Sequence, residues 1–134
     1  MGEIKLNRTG DRPLVFEGDC LSEVENRHFS GKEQNRWFQL GLYKISGGDY
    51  VLHVGYRTIW QNETDIDDVT VYSSLNDISP YLNAMAHHVI NDYMNLPIGA
   101  QFEEKRELIT KQLRMGFLQS VTELLKDFPE NLSN

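Results

Sequence analysis

The sequence predicts an α+β fold, an antiparallel β-meander of about five strands followed by two C-terminal helices packed on the sheet. Three observations carry this expectation. Up to Ser73 the apolar residues recur with the period of two that strands impose, and after Ser73 the period lengthens to that of a helix. Between two aromatic-rich runs, Ser46-Gly47-Gly48-Asp49 has the composition of a hairpin turn. The 134 residues fit one domain, strand-rich over 1–73, helical over 74–128 and closing in a short tail over 129–134. With 40% hydrophobic and 25% charged residues, the chain has the composition of one that buries its own core.

Ile4 to Asn7 and Leu14 to Glu17 read as short strands around a Gly10-Asp11-Arg12-Pro13 turn, with the proline where it removes no ladder hydrogen bond. The polar stretch from Gly18 to Asn35 is irregular, either a loop or in part a strand extension, with Leu21, Val24 and Phe29 as its anchors. Arg36 to Thr58 is the hairpin. With Gly47 and Gly48 as a two-residue turn, Ile45 faces Tyr50, Tyr43 faces Leu52 and Trp37 faces Thr58. One face then carries Trp37, Tyr43, Tyr50 and Tyr56. The other carries Phe38, Leu40 and Leu42 opposite Arg57, Gly55 and His53. Asp68 to Ser73 adds a further strand.

Ile78, Leu82, Met85, Val89 and Tyr93 lie at helical spacing and define the first helix. Its start falls either at Ser74, with Asp77 as a capping-box partner, or at Ser79-Pro80; Leu96-Pro97-Ile98-Gly99 ends it. The last helix runs from about Phe102 to Asp127, roughly 39 Å at 1.5 Å per residue. One apolar row, Ile109, Leu113, Phe117, Val121 and Leu124, is flanked by a second, Leu108, Met115, Leu118 and Leu125. Gly116, near its middle, suits a close crossing with another helix.

Charge narrows the function. A net charge of −7 argues against duplex nucleic acid and anionic membranes, whose affinity comes from Lys and Arg. No apolar run approaches the ~20 residues that cross a bilayer. The opening residues carry alternating charge rather than a secretory apolar stretch, and Cys20 is the lone cysteine, so a cytoplasmic setting is expected.

No catalytic residue, metal site or cofactor motif is assigned. His87 and His88 are adjacent on a helix and diverge by about 100°, so they do not chelate together. Glu63, Asp65, Asp67 and Asp68 lack the calcium-loop spacing and read as a solvated acidic loop. Cys20 has no placeable base. The aromatic face has no Lys or Arg of its own, so a stacking platform for single-stranded nucleic acid gives way to packing or a subunit interface.

The doubly apolar hairpin and the two-row helix ask for more cover than one chain provides. The leading expectation is therefore a non-enzymatic interaction or regulatory protein acting as a homodimer, with Trp37, Tyr43, Tyr50 and Gly116 at the interface. The alternative is a small-molecule-binding protein or enzyme with a pocket between sheet and helices, bearing His53, Arg57 and Tyr56. Mimicry of nucleic acid by the acidic surface ranks third, because the charge is not gathered in long runs.

Overall fold

The computed structural model describes residues 2–28, 33–88 and 100–128. Five strands, β1 (Gly2–Arg8), β2 (Asp11–Glu25), β3 (Arg36–Ile45), β4 (Tyr50–Thr58) and β5 (Ile66–Tyr72), form one antiparallel sheet in sequence order. A 3-10 turn at Leu75–Asp77 leads into α1 (Ile78–His88), and α2 (Ala100–Leu125) follows. The α+β meander with two helices is the expected fold, with α2 packed on the sheet.

The first two strands are longer than their apolar pattern indicates. The turn between them is Thr9-Gly10, with Gly10 at φ 80°, and Pro13 lies beside a break in register between the Leu6–Leu14 and Arg8–Asp11 pairs. The stretch after Gly18 continues as strand to Glu25. Gly18 pairs with Gly2 of β1 and with Ile45 of β3, so one half of β2 belongs to each neighbour. Glycine is required there: a Cβ would collide with the Lys44 carbonyl and lie 3.2 Å from the Ile45 Cα. A bulge between Cys20 and Ser22 follows. Corner glycine and bulge together bend β2, as they do where sheets curl.

The curl supplies cover for the sheet's second face. β1 reaches β5, where the Thr9 amide donates to the Asp67 carbonyl (2.9 Å) and the Asp67 amide donates to Thr9 Oγ1 (2.7 Å). The inner face so enclosed holds Leu6, Tyr43 and Val51, with Ile4, Leu14, Phe16, Ile45 and Val69 against them. The second apolar face is met within the chain, by its own first hairpin.

The β3–β4 register differs from the expected one by one residue: Lys44 pairs with Tyr50, Tyr43 with Val51, Gly41 with His53 and Trp37 with Arg57. The turn is the cause. Gly48 donates to the Ile45 carbonyl (3.0 Å), Ile45 donates to that of Asp49 (2.8 Å), and Gly47 alone of the two glycines takes a positive φ, 70°. Three residues, Ser46 to Gly48, therefore make the turn, where a two-residue turn would pair Ser46 with Asp49. A one-residue slip exchanges the faces of a whole strand. Tyr50 and Tyr56 join Phe38, Leu40 and Leu42 on the outer face, while His53 and Arg57 join Trp37 and Tyr43 on the inner one. The four-aromatic face does not form.

The helices cover the outer face. Ile78, Leu82, Met85 and Ala86 of α1 and Leu113, Phe117, Val121 and Leu124 of α2 pack on Phe38, Leu40, Leu42, Leu52, Val54 and Tyr56. Phe117 stacks on Phe38 at 4.7 Å between ring centres. Ser74 Oγ accepts from the Asn76 amide and caps the 3-10 turn, and α1 itself begins at Ile78, between the two expected starts. Arg114 Nε donates to the Ala86 carbonyl (3.1 Å) and ties the helices together. Val89, Tyr93 and the Leu96–Gly99 stop lie outside the described residues. The first apolar row of α2 is buried or half-buried; in the second, Leu118 and Leu125 pack at the core's margin while Leu108 and Met115 are exposed.

Candidate functional site

The inner face carries a polar network built on strand alternation. Gln39, Gly41 and Tyr43 of β3 project to it, as do His53, Gly55 and Arg57 of β4, Glu23 and Glu25 of β2, and Asp67 of β5. His53 Nε2 lies 2.7 Å from Asp67 Oδ1, and Arg57 Nη2 donates to the same oxygen at 2.7 Å. A carboxylate only accepts, so His53 Nε2 carries a proton and donates. Arg57 Nε donates to Gln39 Oε1 (3.1 Å), Gln39 Nε2 donates to Glu25 Oε2 (3.2 Å), and Tyr43 Oη donates to Glu23 Oε1 (3.3 Å).

Two glycines let these side chains lie flat. A Cβ at Gly41 would come within 2.8 Å of the Tyr43 ring, and one at Gly55 within 2.8 Å of the Arg57 guanidinium. With the network pressed against the sheet, a hollow of about 290 Å³ remains, bordered by Leu6, Glu23, Glu25, Gln39, Gly41, Tyr43 and His53. Its volume is close to the lower limit for small-molecule sites.

The charged groups of the inner face set the protonation of their neighbours. Burial opposes ionisation of Asp67, but the hydrogen bonds and charges of Arg57 and His53 outweigh it and hold the carboxyl below its ordinary value. Burial, reinforced by Glu23, raises the Tyr43 phenol well above its ordinary range. Partial burial and the same Glu23 raise the exposed Cys20 thiol. Both therefore stay protonated near neutral pH, and neither is an activated nucleophile.

Of the three residues expected to share a pocket, the structure brings together His53 and Arg57 and separates Tyr56. The hollow is bordered by His53 but not by Arg57, and it lies on the inner face, not between sheet and helices. Tyr56 is buried on the outer face, where its hydroxyl donates to Glu63 Oε1 (2.6 Å). That bond belongs to a second cluster. Glu63 also accepts from Arg36 Nη2 (2.6 Å) and Nε (3.0 Å) and from Thr58 Oγ1 (3.0 Å). The cluster anchors the 59–65 connection, whose Trp60 lies under the Arg36 guanidinium at 5.1 Å.

The acidic run is not a solvated loop. Glu63 pairs with Arg36, Asp65 accepts from the Thr58 amide, Asp67 binds His53 and Arg57, and Asp68 accepts from Tyr81 Oη (2.7 Å). Strand alternation points Asp67 and Asp68 to opposite faces, which a reading by composition misses.

Each residue expected at a subunit interface has a place inside the chain. Tyr43 is buried in the inner core with its ring edge-on to Phe16, and Tyr50 packs at the margin of the outer core beneath Lys44. Trp37 is buried with the Arg27 guanidinium 4.5 Å from its ring centre. Gly116 is buried where α2 meets the end of β2, beside a hollow of about 390 Å³ shared with Val24, Arg27, Ser120 and Glu123. The side chains of His87 and His88 lie outside the described residues, and His28 is exposed. Gln39, Glu23, Glu25 and Asp67 were not singled out as site residues from sequence; the signal was their alternation with Gly41 and Gly55, readable only in the correct register.

No protein-family model, curated protein or solved structure matches the chain. Among the described residues, no helix is long and apolar enough to cross a membrane.

Proposed function

We propose that this protein binds a small polar molecule in the inner-face hollow and holds it without transforming it. The observation that carries the reading is the glycine-floored network, in which Gly41 lets Tyr43 lie flat and keeps space open beside His53, Gln39 and Glu25, while Gly55 seats the Arg57 that holds Gln39. A chain that only packed the inner face would fill those positions with side chains, as it does around Leu6 and Val51. The exposed, unbridged Cys20 supports a cytoplasmic setting. Thermal unfolding against a panel of small metabolites tests the reading. A ligand at 100 times its Kd stabilises by about 2.7 kcal/mol, a rise of roughly 10 °C for a chain of this size. A flat panel, with His53→Ala and Gln39→Ala without effect on any response, refutes it.

A second reading, self-association as a dimer, is supported by α2. Leu108 (56% exposed) and Met115 (53%) stand seven residues apart on one flank of the helix. Light scattering at micromolar concentration tests it: a strict monomer removes it, and a dimer dispersed by Leu108→Lys supports it.

A further inference from the structure

We infer that the ligand of the inner-face hollow is a small aliphatic amine cation, and that a short diamine fits it best. The inference rests on the binding reading above and follows from the hydrogen-bonding capacity left at the hollow. Its donors are largely committed: Tyr43 Oη to Glu23, one Gln39 N–H to Glu25, and the Arg57 guanidinium to Gln39, Asp67 and the carbonyls of Tyr56 and Ile66. Its acceptors are not. A carboxylate offers about four lone-pair sites; Tyr43 and the Cys20 thiol use two on Glu23, and Gln39 uses one on Glu25.

Charge points the same way. Among the described residues no Lys or Arg borders the hollow, and the negative charge of Asp67 is balanced by Arg57, so Glu23 and Glu25 set its sign. An anion would meet two carboxylates and a neutral ligand would leave them to water, whereas an ammonium pairs with them. Spacing selects among amines. Glu23 and Glu25 are alternate residues of one strand, their Cα atoms about 7 Å apart, a span that two ammonium groups joined by four methylenes can bridge. The Leu6 side chain and the Tyr43 ring supply an apolar wall for those methylenes.

Calorimetric titration of the full chain tests this with 1,4-diaminobutane, butylamine, butanol and succinate at low ionic strength. The diamine binds more tightly than butylamine, and Glu23→Gln and Glu25→Gln each weaken it by about fivefold, the scale of one exposed ion pair. Glu104→Gln, an exposed acidic position on α2, leaves binding unchanged. All three variants alter exposed side chains, and their unfolding midpoints confirm folding. Equal loss at Glu104→Gln would show diffuse attraction to the acidic chain and overturn the inference. Binding of succinate or butanol in place of the amines, lost in Gln39→Ala, overturns the ligand class and leaves the binding site standing. Absence of binding by all four probes refutes the amine, and the metabolite panel then decides the site.

Discussion

Removing the Glu63 carboxylate removes the acceptor on which three donors converge. Its side chain is 1% exposed and that of its partner Arg36 is 9% exposed, so the ion pair lies out of water. Burial, and then the bond to Glu63, raises the Tyr56 phenol far above its ordinary range and keeps it a donor. Glu63→Ala takes away the acceptor shared by a guanidinium, a phenol and the Thr58 hydroxyl. Breaking a buried pair from one side costs about 3–5 kcal/mol. A chain of 134 residues has a total stability of about 7–20 kcal/mol at the usual value per residue. In urea, with a slope of about 2 kcal/mol/M, the midpoint falls by roughly 1.5–2.5 M. Trp60, 49% exposed beneath Arg36, reports the local change through its fluorescence. Replacing both partners, Arg36→Met with Glu63→Leu, recovers most of the loss, because no charge is left unpaired. A loss under about 1 kcal/mol for Glu63→Ala would show that Arg36 rehydrates in place and would refute the reasoning.

Three further outcomes follow from the fold. Gly18→Ala drives a methyl into the Lys44 backbone, so it lowers the melting temperature and detaches the first hairpin, read as lost protection of the β1 amides in hydrogen exchange. Asp67→Asn costs about 1.5–3 kcal/mol at neutral pH, the scale of hydrogen bonds to a charged group. Because the native carboxyl titrates below its ordinary 3.8, that stabilisation is present above 3.8 and is lost as the pH falls through the lower native value. Denaturation curves of the two proteins therefore converge in acid, and a constant gap would sink the assignment. Phe117→Ala, which deletes a fully buried ring stacked on Phe38, costs about 3–5 kcal/mol by thermal unfolding.

The change of period at Ser73 was enough to place strands before helices, because burial on one side of a sheet or helix writes its period into the residues. The Ile109–Leu124 row was legible for the same reason. The register of β3 and β4 was not, because Gly-Gly is compatible with a two-residue or a three-residue turn, and the three-residue turn that forms goes with Tyr56 and Leu52 packed under the helices. That single residue moved His53 and Arg57 onto the face of Asp67. The curl was illegible for a different reason: Gly18 lies in a polar stretch with no apolar rhythm, and its meaning depends on Lys44, a residue distant in sequence. The part of the surplus apolar surface that came from the hairpin arose from treating the sheet as flat; Leu108 and Met115 of α2 stay exposed.

The contact between Thr9 and Asp67 has a consequence in time. Every ladder of the sheet joins strands adjacent in sequence, whereas this closure spans 58 residues and brings in two backbone-anchored hydrogen bonds. Loop-closure entropy delays such contacts until the local hairpins have formed, so the closure belongs to the last steps of folding. Weakening it speeds unfolding and leaves the folding rate nearly unchanged. The inner face is thus the first part of the sheet to open and the last to close, and a molecule held against it would lengthen the lifetime of the native state.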